Sequence, residues 1–347
     1  MGRKAGSGGF DLDGQYDVEI TDADAFSFTD NSNDTTFSIA CWGDITDDGG
    51  VQTLISKWRD DNATREWRLS LSNDRKLQLH LVDSSAALTA LRIAQWKLNE
   101  AAADKIVLDT DASSHDGTST VSDTTDISET GIISTCFNFA GSESVIITVA
   151  DSELSFGDGS DDVDFTVAAW VFVTPATDPQ TILSKWSDST TTWEWNFRVQ
   201  DDEKLGFILS DSDVTGFVWK TSDAILTSGW HFLTATYEND KSGSTDATAG
   251  TRVTLYVDGA AVAGTAGSSG GTYVAMEDTA EKVVIGAADS ASPTQFFEDK
   301  IDNVMLFNAV LTPANISALY NSGAGTETMV SAEISAISDT RFLKFAL

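Results

Sequence analysis

The stretch "TLISKW" at residues 53–58 returns as "TILSKW" at 181–186, and its surroundings return with it. "REWRLSLSNDRKLQLHLVDS" (65–84) lies over "WEWNFRVQDDEKLGFILSDS" (193–212) in one register without a gap. Inside the repeat the apolar residues alternate. Trp67, Leu69 and Leu71 match Trp195, Phe197 and Val199, and Leu77, Leu79 and Leu81 match Leu205, Phe207 and Leu209. A period of two belongs to strands that bury one face. The segments between are rich in Asp, Ser, Thr, Gly and Asn, the residues that set turns. "FSIACWGDI" (37–45) and "FTVAAWVFV" (165–173) alternate in the same way. Many short antiparallel strands at this spacing predict an all-β sandwich or jelly roll. One short helix is expected at "TPANISALYNSG" (312–323), opened by Thr312–Pro313 and closed by Gly323.

The copies are unequal. Alignment runs from Phe10 over Phe137 to Ser84 over Ser212, with a one-residue slip near Phe28/Phe156. Beyond it the second copy continues through "SGWHFLTATYE" (228–238), "TRVTLYVDGAAVAG" (251–264), "KVVIGA" (282–287) and "KIDNVMLFNAVLT" (300–312), for which the first has no counterpart. The organisation read from this is a flexible start (1–9), a partial repeat (10–88), a complete domain (89–328) and a tail (329–347).

Charge narrows the partners. With 54 Asp and Glu against 21 Lys and Arg the net is −33, which repels phosphate backbones and anionic lipid heads. Nucleic acid and membranes are therefore not expected partners. The charge suits a divalent-cation binder, a protein working in salty water, or solubility alone. No apolar run of signal-peptide type comes after "MGRKAGSGG", and no run is long enough to span a membrane. Cys41 and Cys136 fall at non-equivalent places in the copies, so no disulfide framework is expected and synthesis in a reducing cytosol fits.

The ordered set "WKLNE" (96–100), "DASSHDGTS" (111–119), "FNFAGSESVIITV" (137–149), "FTVAAWV" (165–171), "ILSKW" (182–186), "GWHFLTATY" (229–237), "VTLYVDGAAV" (253–262), "KIDNVMLFNAVLT" (300–312) and "ISALYNSG" (316–323) resembles the LamG-like branch of the concanavalin A-like lectin/glucanase superfamily. The resemblance covers roughly 89–328, and residues 10–88 resemble only the front half of such a domain. It implies a two-sheet jelly roll with one concave face, serving mainly as a glycan- or protein-binding module. It also implies a structural calcium. "DASSHDG" (111–117) is similar to the family's D-x-S-G-N turn, although Ser114 stands where the family has Gly, and Asp302 of "KIDNV" falls in its I-D-E motif. Asp111 and Asp302, with Asp116, are the metal candidates implied, and solvated acidic loops are the competing reading. "RFLKFAL" (341–347) lies over "RIAQWKL" (92–98), so the tail offers a strand to a half-domain of its own chain or of a neighbour.

No catalytic residue is expected. The three histidines, His80, His115 and His231, accompany no nucleophile elbow or Cys/His arrangement. His231 reads as a packing or hydrogen-bonding residue. Related hydrolases place acid and nucleophile about 5 Å apart on one strand face, written E-x-D-x-E; "EDTAEK" (277–282) and "EDKID" (298–302) do not match it. Among the ten tryptophans, those recurring in both copies read as structural. Trp193 is matched by Arg65 and Trp219 by nothing. These two are the ligand candidates, for stacking on sugar rings or for a protein interface. The expectation is a non-catalytic, lectin-like structural or adhesion protein on a particle surface. It would be a phage virion component (capsid decoration, fibre or tail adhesin), made in the cytoplasm and exposed on the virion or outside the cell. It would assemble with copies of itself or other virion proteins and contact glycans. The alternative is a calcium-dependent carbohydrate-binding module of an exported bacterial protein.

Overall fold

The computed structural model describes residues 2–3, 10–11, 41, 52–57, 67–71, 77–81 and 91–327, apart from 112–114, 149–151, 212–215, 240–248 and 271–272. The chain divides into two units, 86–330 and the remainder. The expected tail strand at 341–347, and part of the "DASSHDG" turn, lie outside the described residues.

In the smaller unit, β1 (Gly2–Arg3), inside the stretch expected to be flexible, pairs with β2 (Phe10–Asp11). β3 (Gln52–Lys57), β4 (Trp67–Leu71) and β5 (Leu77–Leu81) form a three-stranded antiparallel sheet. Gln52 faces Leu71, Thr53 faces Ser70, Ile55 faces Leu69 and Lys57 faces Trp67, with a bulge between Thr53 and Ile55.

The larger unit repeats that ladder. In β13 (Gln180–Ser187), β14 (Thr192–Val199) and β15 (Lys204–Ser210), Gln180 faces Val199, Thr181 faces Arg198, Leu183 faces Phe197 and Lys185 faces Trp195, with the bulge between Thr181 and Leu183. Trp195 faces Leu209 as Trp67 faces Leu81. The sequence repeat is thus a repeat of strand register, bulge included.

These strands sit in a nine-stranded sheet. From one edge it runs β20 (Gly264–Gly270), β16 (Gly216–Ile225), β15, β14, β13, β21 (Val283–Ile285), β11 (Val145–Ile147), β8 (Gly117–Ser119) and β7 (Ile106–Val107). The facing sheet runs β19 (Ala260–Val262), β18 (Val253–Val257), β17 (Gly229–Tyr237), β12 (Phe165–Val173), β22 (Glu298–Phe307), β10 (Thr135–Ala140) and β9 (Ser128–Thr130), with β6 (Arg92–Trp96) also on β22. Their inner faces close one core that contains Trp96, Phe137, Phe165, Trp195, Phe197, Phe207, Tyr237 and Leu306. Burial of this apolar surface is the main term holding the sheets together.

The second sheet is also covered outside. Trp170, Phe232, Tyr256, Met305 and Phe307 on its outer face pack under Leu311, Ile316 and Leu319, the last two from α1 (Pro313–Tyr320). Thr312 caps that helix by accepting from the Asn315 amide, and Asn321 ends it in the left-handed conformation. The helix therefore stops two residues before the expected Gly323, because Asn tolerates that backbone. With this sheet covered, the open sheet face of the unit belongs to the nine-stranded sheet.

Candidate functional site on the outer face of the nine-stranded sheet

Strand alternation sorts β14 to β16 into two faces. Trp195, Phe197, Val199, Leu205, Phe207, Leu209 and Val218 point into the core. One cross-strand row on the outer face reads Ser184, Asn196, Ile208, Trp219 and Gly267. The next reads Thr181, Arg198, Gly206, Thr221 and Thr265. The segment 286–297 lies over β13: the Thr181 amide donates to the Gln295 carbonyl at 2.8 Å and Ser184 Oγ to the Ala287 carbonyl at 3.1 Å. Beyond that segment Trp193, Ile208, Phe217 and Trp219 of β14, β15 and β16 are half-buried, while Asn196 in the same row is fully buried.

Trp193 reaches this face through a second bulge. Lys185 faces Trp195 but Trp186 faces Trp193, so Glu194 is the extra residue on β14. A bulge reverses the facing of the residues on its far side. Trp193 leaves the inward side it would share with Trp195 and stacks on Trp186, centroids 5.0 Å apart and planes 14° apart. Phe217 of β16 closes the cluster at 5.0 Å from Trp193. Glu194 is fully buried, paired with buried Lys185 at 3.1 Å, and accepts from the Thr279 amide and hydroxyl. Burial pushes its carboxyl above the usual range, and Lys185 opposes that rise.

Trp219 lies two residues beyond Phe217 on the same face. Its indole lies against Gly267 of the edge strand, where a Cβ would come within 2.5 Å of the ring. Glycine there lets the ring lie flat on the backbone. The two tryptophans singled out in the sequence therefore share one face, with Phe217 between them. Phe217 was not foreseen, although, like Trp219, it has no counterpart in the first copy.

The metal candidates are held apart. Asp111 is ion-paired with Arg92 at 2.6 Å. Asp116 accepts from the Asp109 amide at 2.9 Å. Asp302 Oδ2 accepts from the Ile132 and Ile133 amides, both at 2.9 Å. Arg92 faces Phe307, five positions up β22 from Asp302. Burial raises the Asp302 carboxyl to about 7. Among the described residues no group of three His, Cys, Asp or Glu side chains converges on one point, and the oxygens of Asp111, Asp116 and Asp302 named here are engaged with Arg92 and backbone amides.

His231 ties β17 to its neighbours. Nδ1 lies 2.9 Å from Asp258 Oδ2 and Nε2 lies 2.9 Å from the Thr227 carbonyl, and Asp258 raises its pKa. Cys41 and Cys136 are free thiols. Among the described residues no helix is long and apolar enough to cross a membrane.

Two facing antiparallel sheets, one capped by a short helix and one open, define a lectin-like jelly roll. Residues 147–317, within the larger unit, match the model of the Laminin_G_3 family, in the concanavalin A-like lectin/glucanases superfamily. Solved structures similar to the chain include the binding domain of Paraclostridial Mosquitocidal Protein 1 (13% identity, TM-score 0.46, covering 68% of this chain and 53% of that one). Others are the botulinum neurotoxin serotype D binding domain (16%, 0.44, 68% and 53%) and a Trypanosoma rangeli sialidase in complex with 2,3-difluorosialic acid (16%, 0.46, 70% and 35%). The chain spans about half the length of those toxin domains and about a third of the sialidase. No curated protein sequence matches it.

Proposed function

We propose that the larger unit is a non-catalytic glycan-binding module of a structural or adhesion protein displayed on a particle surface, a phage virion component. The observation that carries the glycan reading is the open aromatic floor of Trp193, Phe217 and Trp219. Aromatic rings on a shallow sheet face stack on the apolar faces of pyranose rings, while neighbouring amides and charged groups take the hydroxyls. The internal repeat supports a task beyond folding. Core positions stay apolar in both copies, whereas the outer positions Trp193, Asn196, Arg198 and Ile208 are Arg65, Arg68, Ser70 and His80 in the first. Across the described part of the first ladder, the pairing at Arg68, Ser70 and His80 is the same as at Asn196, Arg198 and Ile208.

The non-catalytic reading is supported by three described carboxylates beside the floor, Glu194, Asp188 and Asp289, which are engaged. Glu194 is tied to Lys185 and Thr279. Asp188 accepts from Trp186 Nε1 and Thr294, and Asp289 from three backbone amides. Assembly with neighbours is supported by the unequal burial of the repeat: Ile55 is 40% exposed while Leu183, at the same register position, is fully buried. The virion placement itself is an analogy of fold.

The test is retention of the full chain on immobilised bacterial surface polysaccharides. Trp193→Ala with Trp219→Ala is expected to weaken retention at least ~10-fold in a chain that still folds, as its far-ultraviolet circular dichroism would show. Equal retention by the double variant, or none by the parent chain, overturns the reading.

A further inference from the structure

We infer that the sugar chain taken by this face carries an anionic substituent, a carboxylate or a sulfate, and that Arg198 receives it. The inference rests on the glycan reading above and names the class of chain.

Arg198 is on the outer face of β14, two residues from Asn196 and directly opposite Gly206. Its guanidinium makes one hydrogen bond to another side chain, from Nη1 to Gln295 Oε1 at 3.2 Å. Nε is buried and donates to nothing. No carboxylate among the described residues lies within ion-pair distance of it, in a chain that carries 54 acidic residues against 21 basic ones. A buried guanidinium N–H left without an acceptor, as Nε is here, costs the free protein stability. Burial is the first cause lowering its pKa, with Asp201 and Asp188 opposing at longer range.

Folding does not demand this residue, because Ser70 occupies the same register position in the first copy. What a fork of N–H donors matches is a planar or tetrahedral oxyanion, which it binds in two-point fashion. Around it the face is polar: the Gln200 amide lies where a Cβ on Gly206 would project, and Gln295 stands on the other side. The aromatic floor begins one row away at Ile208 and Trp219, roughly 7 Å along the strand. One end of the face thus suits a sugar ring and the other its charged substituent. The acidic remainder of the surface repels a polyanion at long range, but that repulsion is screened beyond about 8 Å at physiological salt, while a half-buried contact is not.

The experiment uses the full chain and Arg198→Gln with four probes at 0.15 M salt: a polyuronate oligosaccharide, its carboxyl-reduced form, a sulfated oligosaccharide and its desulfated form. The parent chain is expected to bind at least one charged probe ten-fold or more tightly than its neutralised counterpart. Arg198→Gln is expected to bring that ratio to about one, with a melting temperature no lower than the parent's. Whichever neutralisation removes the preference identifies carboxylate or sulfate. If neutral and charged probes bind alike, with binding still lost in Trp193→Ala/Trp219→Ala, this inference fails and the glycan reading stands. If the parent binds none of the four, the inference fails, and retention on the polysaccharide panel decides the glycan reading separately.

Discussion

Glu194→Ala is expected to lower the stability of the larger unit by about 3–5 kcal/mol, the cost of leaving one member of a buried ion pair alone. Lys185 has no exposed surface, so its ammonium cannot turn to water when the carboxylate is removed. Replacing both partners by apolar residues, Lys185→Met with Glu194→Leu, is expected to recover most of the loss, because the two desolvation costs vanish together. The variant should also lose local geometry. Glu194 is the extra residue that turns Trp193 outward, and the Trp186–Trp193 stack depends on that turn. Denaturant unfolding measures the first effect and the near-ultraviolet circular dichroism of the stacked indoles the second. A loss below about 1 kcal/mol, the range of an exposed ion pair, would show that the pair does not hold the bulge.

The second large effect centres on Asp162, whose partner Met276 stands three residues before Thr279, the partner of Glu194. Asp162 is buried and accepts from Tyr237 Oη at 2.8 Å, Tyr273 Oη at 2.7 Å and the Met276 amide at 2.8 Å. Gly157 leaves room for this convergence, since a Cβ there would meet the Met276 carbonyl at 2.2 Å. Asp162→Ala strands these donors in the interior, and at about 1–3 kcal/mol for each unsatisfied group the expected loss is roughly 3–5 kcal/mol. Burial nevertheless pushes the Asp162 carboxyl above its ordinary range. A carboxyl raised in the fold holds its proton where the unfolded chain has released it. The parent protein should therefore lose stability as pH rises from about 4 toward the folded pKa. Asp162→Asn should flatten that slope. Unfolding curves at several pH values test both, and an unchanged slope in the Asn variant would place the dependence on another group.

The core was legible because the chain spells it twice. Inward residues such as Trp195 and Phe207 keep their character in Trp67 and Leu79, and alternation alone assigns their face. The site was legible only in part. Alternation puts Trp193 on the inside with Trp195, whereas Arg65 at the matching place argues for the outside. The bulge at Glu194 reconciles them, and bulges leave no periodic signature. The ion pair that sustains the bulge did leave one: Lys185 and Glu194 recur as Lys57 and Glu66, charged residues repeated amid core strands. Phe217 carries the same signal as Trp219, no counterpart in the first copy, and Arg198 the same signal as Trp193, a dissimilar counterpart in Ser70. The carboxylates Asp111, Asp116 and Asp302 match motifs through their neighbours in sequence, but their partners in space are Arg92 and backbone amides.

The most direct test of the sugar-binding face is the set of indole N–H resonances in ¹⁵N-labelled full-length chain titrated with an oligosaccharide fragment of a retained polysaccharide. The signals of Trp193 and Trp219 should shift together and saturate at one affinity, while those of Trp96 and Trp195, sealed in the core, stay in place. Saturable binding that leaves Trp193 and Trp219 unmoved would place the sugar elsewhere on the molecule and contradict the account.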